Sequence, residues 1–190
     1  MTGQSSILGD NGRVSGPVRV LPADRWPAHR ARDPLRVIVV CSGNICRSPV
    51  GEQMLRTALG DAGLGPDVVQ VTSAGTGNWH AGDDMNERSA AALDRAGITA
   101  APHVAHEITI DEARAADLLL AADRGHVRAL RALVGDATPI RLFREFDPAA
   151  DDLEVPDPYY GPDSGFDDVV AMTAAALPGL VAEIRRMAGR

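Results

Sequence analysis

The chain reads as an α/β protein with a single parallel sheet of about four strands and helices on both faces. Three observations predict this. Short apolar runs alternate with longer helical patterns from Leu35 to the C-terminus, the signature of successive βα units. The first run, Val37-Ile38-Val39-Val40, is apolar throughout and rich in β-branched residues, as a central strand covered on both faces must be. Directly after it, Cys41-Ser42-Gly43-Asn44-Ile45-Cys46-Arg47-Ser48-Pro49 places a cysteine and an arginine at C-x5-R spacing between that strand and a helix start.

Taken in order, the first strand spans Leu35 to Val40, and the first helix spans Pro49 to Ala62, with Ser48 as its cap and Pro49 as its first residue. Val68 to Thr72, dominated by β-branched residues, is the second strand. Helices follow over Asn86 to Ala96 and Ile110 to Ala116. The short apolar runs Leu118 to Ala122 and Ile140 to Phe143 are the remaining strands, separated by a helix over Arg124 to Leu133. A long apolar-periodic stretch, Phe166 to Arg186, closes the chain as a helix. Right-handed crossovers would gather the loops after strand C-termini at one edge, where the Cys41 loop already lies.

Composition sets bounds on class. At 190 residues with 45% apolar and 24% charged content, the chain suits one domain with a full core. A net charge of -7 offers no electrostatic attraction to nucleic acid or an anionic membrane, so neither is expected as a partner, and a monomer is. Both cysteines of the chain lie in the one loop, which leaves no disulfide framework and no zinc ligand set; a cytoplasmic location is expected. No cofactor and no metal site are expected, since His80, His106 and His126 show no metal-ligand spacing and Gly75 to Gly82 lacks G-x-G-x-x-G order. Residues 1–34, rich in Gly, Ser, Pro, Asp and Arg, read as a flexible extension carrying one sticky residue, Trp26, ahead of a domain over 35–190.

The loop carries the chemistry. Successive backbone N–H groups aimed inward, with Gly43 and Asn44 able to take unusual dihedrals, form an anion cradle at a positive helix end. Arg47 can close it with a bidentate fork onto two phosphate oxygens. The same positive field favours the thiolate of Cys41, which can then attack phosphorus in line. A departing oxygen needs a proton from the opposite side, and Asp157, in the proline-stiffened Val155-Pro156-Asp157-Pro158-Tyr159-Tyr160, is the candidate acid, the alternative by residue type being an Asp-Pro that serves only to shape a turn.

These residues resemble those of the low molecular weight protein tyrosine phosphatases, of bacterial type. The match comprises Val40 to Pro49, Ser73-Ala74-Gly75, Trp79, Pro102-His103-Val104-Ala105, Asp117 to Asp123 and Asp157-Pro158-Tyr159-Tyr160-Gly161, in the family's order. The resemblance implies a phosphocysteine on Cys41, phosphate binding by Arg47 and the loop residues Ser42, Gly43, Asn44, Ile45, Cys46 and Ser48, and Asp157 as general acid and then base. It implies that Trp79 and Tyr159, with Tyr160 beside them, flank the cleft and hold a phosphotyrosine ring, so that phosphotyrosine-containing proteins are the partners. It further implies that Asn44, Ser48, Ser73 and His103 brace the loop, that Asp123 supports Arg47, and that Cys46 traps oxidised Cys41 as a disulfide. Ser42 departs from the pattern, standing where a bulkier residue is more often found.

Two readings of the same fold compete. A protein arginine phosphatase is disfavoured by Ile45, where a Thr accompanies phosphoarginine preference, and by the Tyr159-Tyr160 pair. A thioredoxin-coupled arsenate reductase needs downstream cysteines that the chain lacks. From a different class, a silent phosphoprotein-binding module would require loss of Cys41, Arg47 or Asp157, and all three are present.

Overall fold

The computed structural model describes residues 34–190. The extension expected over residues 1–34, with Trp26, therefore lies outside the described residues except for Pro34. Four parallel strands, β1 (Leu35–Cys41), β2 (Val69–Gly75), β3 (Leu118–Ala121) and β4 (Ile140–Leu142), form one sheet in the order β2-β1-β3-β4. The helices are α1 (Arg47–Asp61), α2 (Glu87–Arg95), α3 (Ile110–Ala115), α4 (Arg124–Val134) and α5 (Ser164–Met187). A 3-10 turn at Phe143–Phe146 follows β4 where the sequence pattern suggests only the end of a strand.

The alternation of side chains along β1 and β3 builds both faces. Val37, Val39, Leu118 and Leu120 point into one core layer with Leu55 and Leu59 of α1 and Leu180 and Ile184 of α5. Ile38, Val40, Leu119 and Ala121 point into the other, against Ala113 of α3 and Val127, Leu130 and Val134 of α4. A strand buried on both faces has no place for polar residues, which is why β1 from Val37 onward and all of β3 are continuous apolar runs. α5 is long and apolar enough to cross a membrane by length and composition, yet its stripe from Phe166 through Val169, Val170, Thr173, Ala176, Leu180 and Ile184 is buried within the protein.

The strand order decides where a ligand can go. From β1 the chain moves outward to β2 on one side, then crosses back to β3 on the other and continues to β4. The loops after β1 and β3 thus diverge, leaving a crevice at the carboxyl ends of these neighbouring strands. A third cluster, with Ile45, Cys46, Val50, Met54, Leu93, Val155 and Phe166, packs beneath that crevice.

The start of α1 differs from the sequence expectation. Its cap is Cys46 and its first residue Arg47, with no side-chain capping bond, rather than Ser48 and Pro49. Ser48 Oγ is committed to the loop instead, and Pro49 still sits in the first turn, where its missing N–H costs nothing.

Candidate active site

The turn from β1 into α1 is held by an inward chain of hydrogen bonds centred on Asn44. Its backbone is left-handed, with φ of 59°, which turns its side chain inward. Asn44 Nδ2 donates to Ser48 Oγ at 2.9 Å and to Ser73 Oγ at 3.0 Å, and Ser73 Oγ in turn donates to Glu52 Oε2 at 2.6 Å. Asn44 Oδ1 accepts from the His106 backbone N–H, and its carbonyl accepts from His103 Nε2 at 2.6 Å. Ser48 Oγ lies 3.0 Å from Cys41 Sγ; because the hydroxyl oxygen already accepts from Asn44, its proton is free to point at sulfur.

The segment that follows β2 clamps the loop from the side. Thr76 and Gly77 donate their backbone N–H groups to the carbonyls of Cys41 and Ser42. This approach requires glycine at position 75, where a Cβ would fall 2.7 Å from the Ser42 carbonyl oxygen.

Arg47 is nearly fully buried, and its charge is met from several sides. Nη1 donates to Asp123 Oδ2 at 3.0 Å and to the Val155 carbonyl at 3.3 Å, while Nη2 donates to Ser42 Oγ at 3.1 Å and to Asp157 Oδ2 at 2.8 Å. Its Nε is buried with no hydrogen-bond partner. A buried guanidinium is tolerable only when so paired. Asp123 is the N-cap of α4, and burial by itself would push its carboxyl up. Contact with the His126 ring, the backbone N–H of His126 and the charge of Arg47 outweigh that and hold it well below the usual carboxylate range, so it is anionic at any physiological pH.

The remaining candidates line a cleft of about 530 Å³ over the loop, bounded by Cys41, Ser42, Gly43, Ile45, Cys46, Arg47, Trp79, His80, Asp157, Tyr159 and Tyr160. Trp79 is 72% exposed and forms one wall. Tyr160 is 97% exposed and packs edge-on against Tyr159, so it belongs to the outer rim rather than the wall. The general-acid candidate is fixed through its neighbours: Arg88 of α2 donates to the carbonyls of Tyr159 and Gly161 and stacks on Phe166. Cys46 lies buried beneath the loop. Loss of solvation pushes its thiol up to about 12, against which the nearby Ser89 hydroxyl acts only in part.

The fold thus brings together every site residue expected from the sequence. It adds others that sequence reasoning assigned no part. His80 lies over Gly43, where a Cβ would come within 2.7 Å of its ring, and 5.9 Å from the Tyr159 ring. His126 meets Ser42, Glu52 anchors Ser73, and Arg88 anchors the acid loop. None of these contacts has a local sequence signal, since each joins residues far apart in the chain.

Residues 36–189 match the family model described as low molecular weight phosphotyrosine protein phosphatase. The chain belongs to the low molecular weight phosphotyrosine protein phosphatase family. Relatives in this family include low molecular weight protein-tyrosine phosphatase A of Mycobacterium tuberculosis, 50% identical over 150 residues that cover 78% of this chain and 90% of the relative. The low molecular weight protein-tyrosine-phosphatase of Streptomyces coelicolor is 45% identical over 155 residues, covering 79% and 93%. The crystal structure of the Bacillus subtilis phosphatase YfkJ superposes with a TM-score of 0.75 at 29% identity, over 81% of this chain and 96% of that one. These relatives are named as protein-tyrosine phosphatases, and the Cys41 loop and Arg47 of this family member have the geometry a cysteine-dependent phosphatase requires.

Proposed function

We propose that this phosphatase hydrolyses phosphotyrosine in proteins through a phosphocysteine on Cys41. The observation that carries the reading is the pairing of Cys41 Sγ with the Ser48 hydroxyl in a loop whose Arg47 keeps a buried Nε–H with no protein partner and an Nη2–H bonded to Asp157. Nε and Nη2 are the two donors of one guanidinium edge, the fork that grips two oxygens of a phosphoryl group. An incoming dianion competes with Asp157 for Nη2. The carboxyl so released is the group that protonates the tyrosyl oxygen.

In the first step Cys41 Sγ forms a bond to phosphorus, the bond to the tyrosyl oxygen breaks, and Asp157 delivers the proton that oxygen needs. In the second, Asp157 takes a proton from water as the water attacks phosphorus, phosphate leaves, and the Cys41 thiolate returns with Ser48 donating to it. The Arg47 edge and the inward backbone N–H groups stabilise the equatorial oxygens throughout. Trp79 and Tyr159 supply aromatic walls suited to a tyrosyl ring, in keeping with the names of the relatives. Cys46 serves as the resolving thiol that captures oxidised Cys41. An acidic chain whose cysteines are both free fits a monomer working in the cytoplasm.

The test is to trap the intermediate. Acid quench during turnover of 4-nitrophenyl phosphate should leave phosphate on the Cys41 peptide, and EDTA should leave the rate intact because nucleophile and charge stabiliser are both protein groups. Cys41→Ser and Arg47→Ala should each lower turnover by on the order of 10³-fold or more. Near-normal turnover by Cys41→Ser would end this reading.

A further inference from the structure

We propose that His126 is a positioning residue for the phosphate-binding guanidinium: from the first turn of α4 it holds Ser42 and Asp123 in the orientation in which both receive Arg47. The inference rests on the phosphatase reading above and extends it to a side chain that does not line the cleft. Four side chains close a ring. Arg47 donates through Nη1 to Asp123 Oδ2 at 3.0 Å and through Nη2 to Ser42 Oγ at 3.1 Å. Ser42 Oγ lies 3.0 Å from His126 Nε2. His126 Nδ1 comes within 3.0 Å of Asp123 Oδ1, off the line of a hydrogen bond, and the His126 backbone N–H donates to that same oxygen at 2.9 Å.

His126 is only 5% exposed, between Arg124 and Gly125 on the solvent side and the core residue Val127. Filling that space calls for an aliphatic side chain; an imidazole there carries a desolvation cost that only polar partners offset. Its partners define one consistent arrangement. With the ring proton on Nδ1 facing Asp123, Nε2 presents a lone pair that takes the Ser42 hydroxyl proton, and the Ser42 oxygen is left to accept from Arg47. His126 thereby sets the sense of a hydroxyl that could otherwise rotate.

The catalytic sequence makes this hydroxyl matter. Nη2 has two protein partners, Asp157 and Ser42. Asp157 must release Nη2 to reach the leaving group, and Ser42 is then the protein group that still holds that nitrogen in the fork. Without His126 the guanidinium edge loses its register at the moment the transition state needs it.

The test uses the full chain, steady-state turnover of 4-nitrophenyl phosphate, calorimetric binding of inorganic phosphate, and urea melts. His126→Leu fills the space and removes both nitrogens. It should weaken phosphate binding about 10-fold and lower kcat/KM by roughly 10- to 100-fold. His126→Gln, whose amide is long enough to meet Ser42 Oγ, should recover part of both losses, a rescue that space-filling alone does not provide. Ser42→Ala should cost less than His126→Leu, and the double variant should lose less than the two single losses combined. Unchanged phosphate affinity and kcat/KM in His126→Leu would overturn the proposal, as would simple additivity. Should His126→Leu fail to fold, Ser42→Ala decides: an unchanged phosphate affinity refutes the ring. A wild-type protein that binds phosphate but hydrolyses nothing would sink the phosphatase reading instead, while loss of that binding in His126→Leu would still support the positioning role.

Discussion

At Asp157 and Cys46, single groups are asked to change partners or protonation state during a reaction. Asp157 is hydrogen-bonded to Arg47 and half exposed, so it can exchange that bond for one to the leaving group. Asp157→Ala should therefore cost about 10²- to 10⁴-fold on phosphotyrosyl peptides and less on 4-nitrophenyl phosphate, whose leaving group needs little protonation. A plot of rate against leaving-group pKa checks this, and a uniform loss would reduce Asp157 to a shaper of its loop. For Cys46, a thiol pushed up to about 12 is almost wholly protonated at neutral pH, and its thiolate fraction grows about tenfold per pH unit below that value. Capture of oxidised Cys41 should accordingly be slow at pH 7 and quicken toward pH 9. After a peroxide pulse and thiol rescue, Cys46→Ser should recover much less activity than wild type. Equal recovery would leave Cys46 as packing beneath the loop.

Among the elements, α2 and α5 do the most to position chemistry they do not carry. The N-cap of α2, Asn86, donates its backbone N–H to the Ile45 carbonyl, and Arg88 two residues on, in the first turn, holds the Tyr159 and Gly161 carbonyls. One helix start thus joins the phosphate loop to the acid loop. Arg88→Ala should lower kcat by roughly 10- to 100-fold on phosphotyrosyl peptides, because a displacement of about 1 Å at the acid suffices for such a loss. The same substitution should change phosphate binding little, and calorimetry separates the two effects. On α5, Leu180 is fully buried against the sheet and α1. Leu180→Ala should destabilise by about 2–5 kcal/mol, read as a lower urea midpoint at unchanged slope.

For the molecule as a whole, the sheet order places the active site at a switch point. The loops after β1 and β3 deliver Cys41 with Arg47 and Asp123 from adjoining strands, and the acid loop closes over them through the Val155 carbonyl. Residues before Leu35 stand outside this βα framework in the sequence. Their deletion should leave turnover of a small aryl phosphate within about twofold, since an extension without apolar periodicity adds nothing to the core. Loss of folding on truncation, seen in a urea melt, would show that the extension belongs to the domain.

The sequence by itself determined the strands and the helices to within a few residues, and it proposed a chemical core of Cys41 and Arg47, to which the family resemblance added Asp157. Each of these has a local cause: β-branched apolar runs that suit doubly covered strands, a strand-loop-helix turn with fixed Cys-to-Arg spacing, and an acid between prolines. Capping at the start of α1 was misread because Ser48 looks like a cap from its neighbours alone, whereas its hydroxyl is taken by Cys41 and Asn44. Only the tertiary structure decided that His126 faces Ser42, that Glu52 terminates the chain through Ser73 and Asn44, that His80 covers Gly43, and that Arg88 pins the acid loop. The physical reason is that a hydrogen bond between residues tens of positions apart depends on where the sheet sets down its loops, and nothing in the spacing along the chain records that.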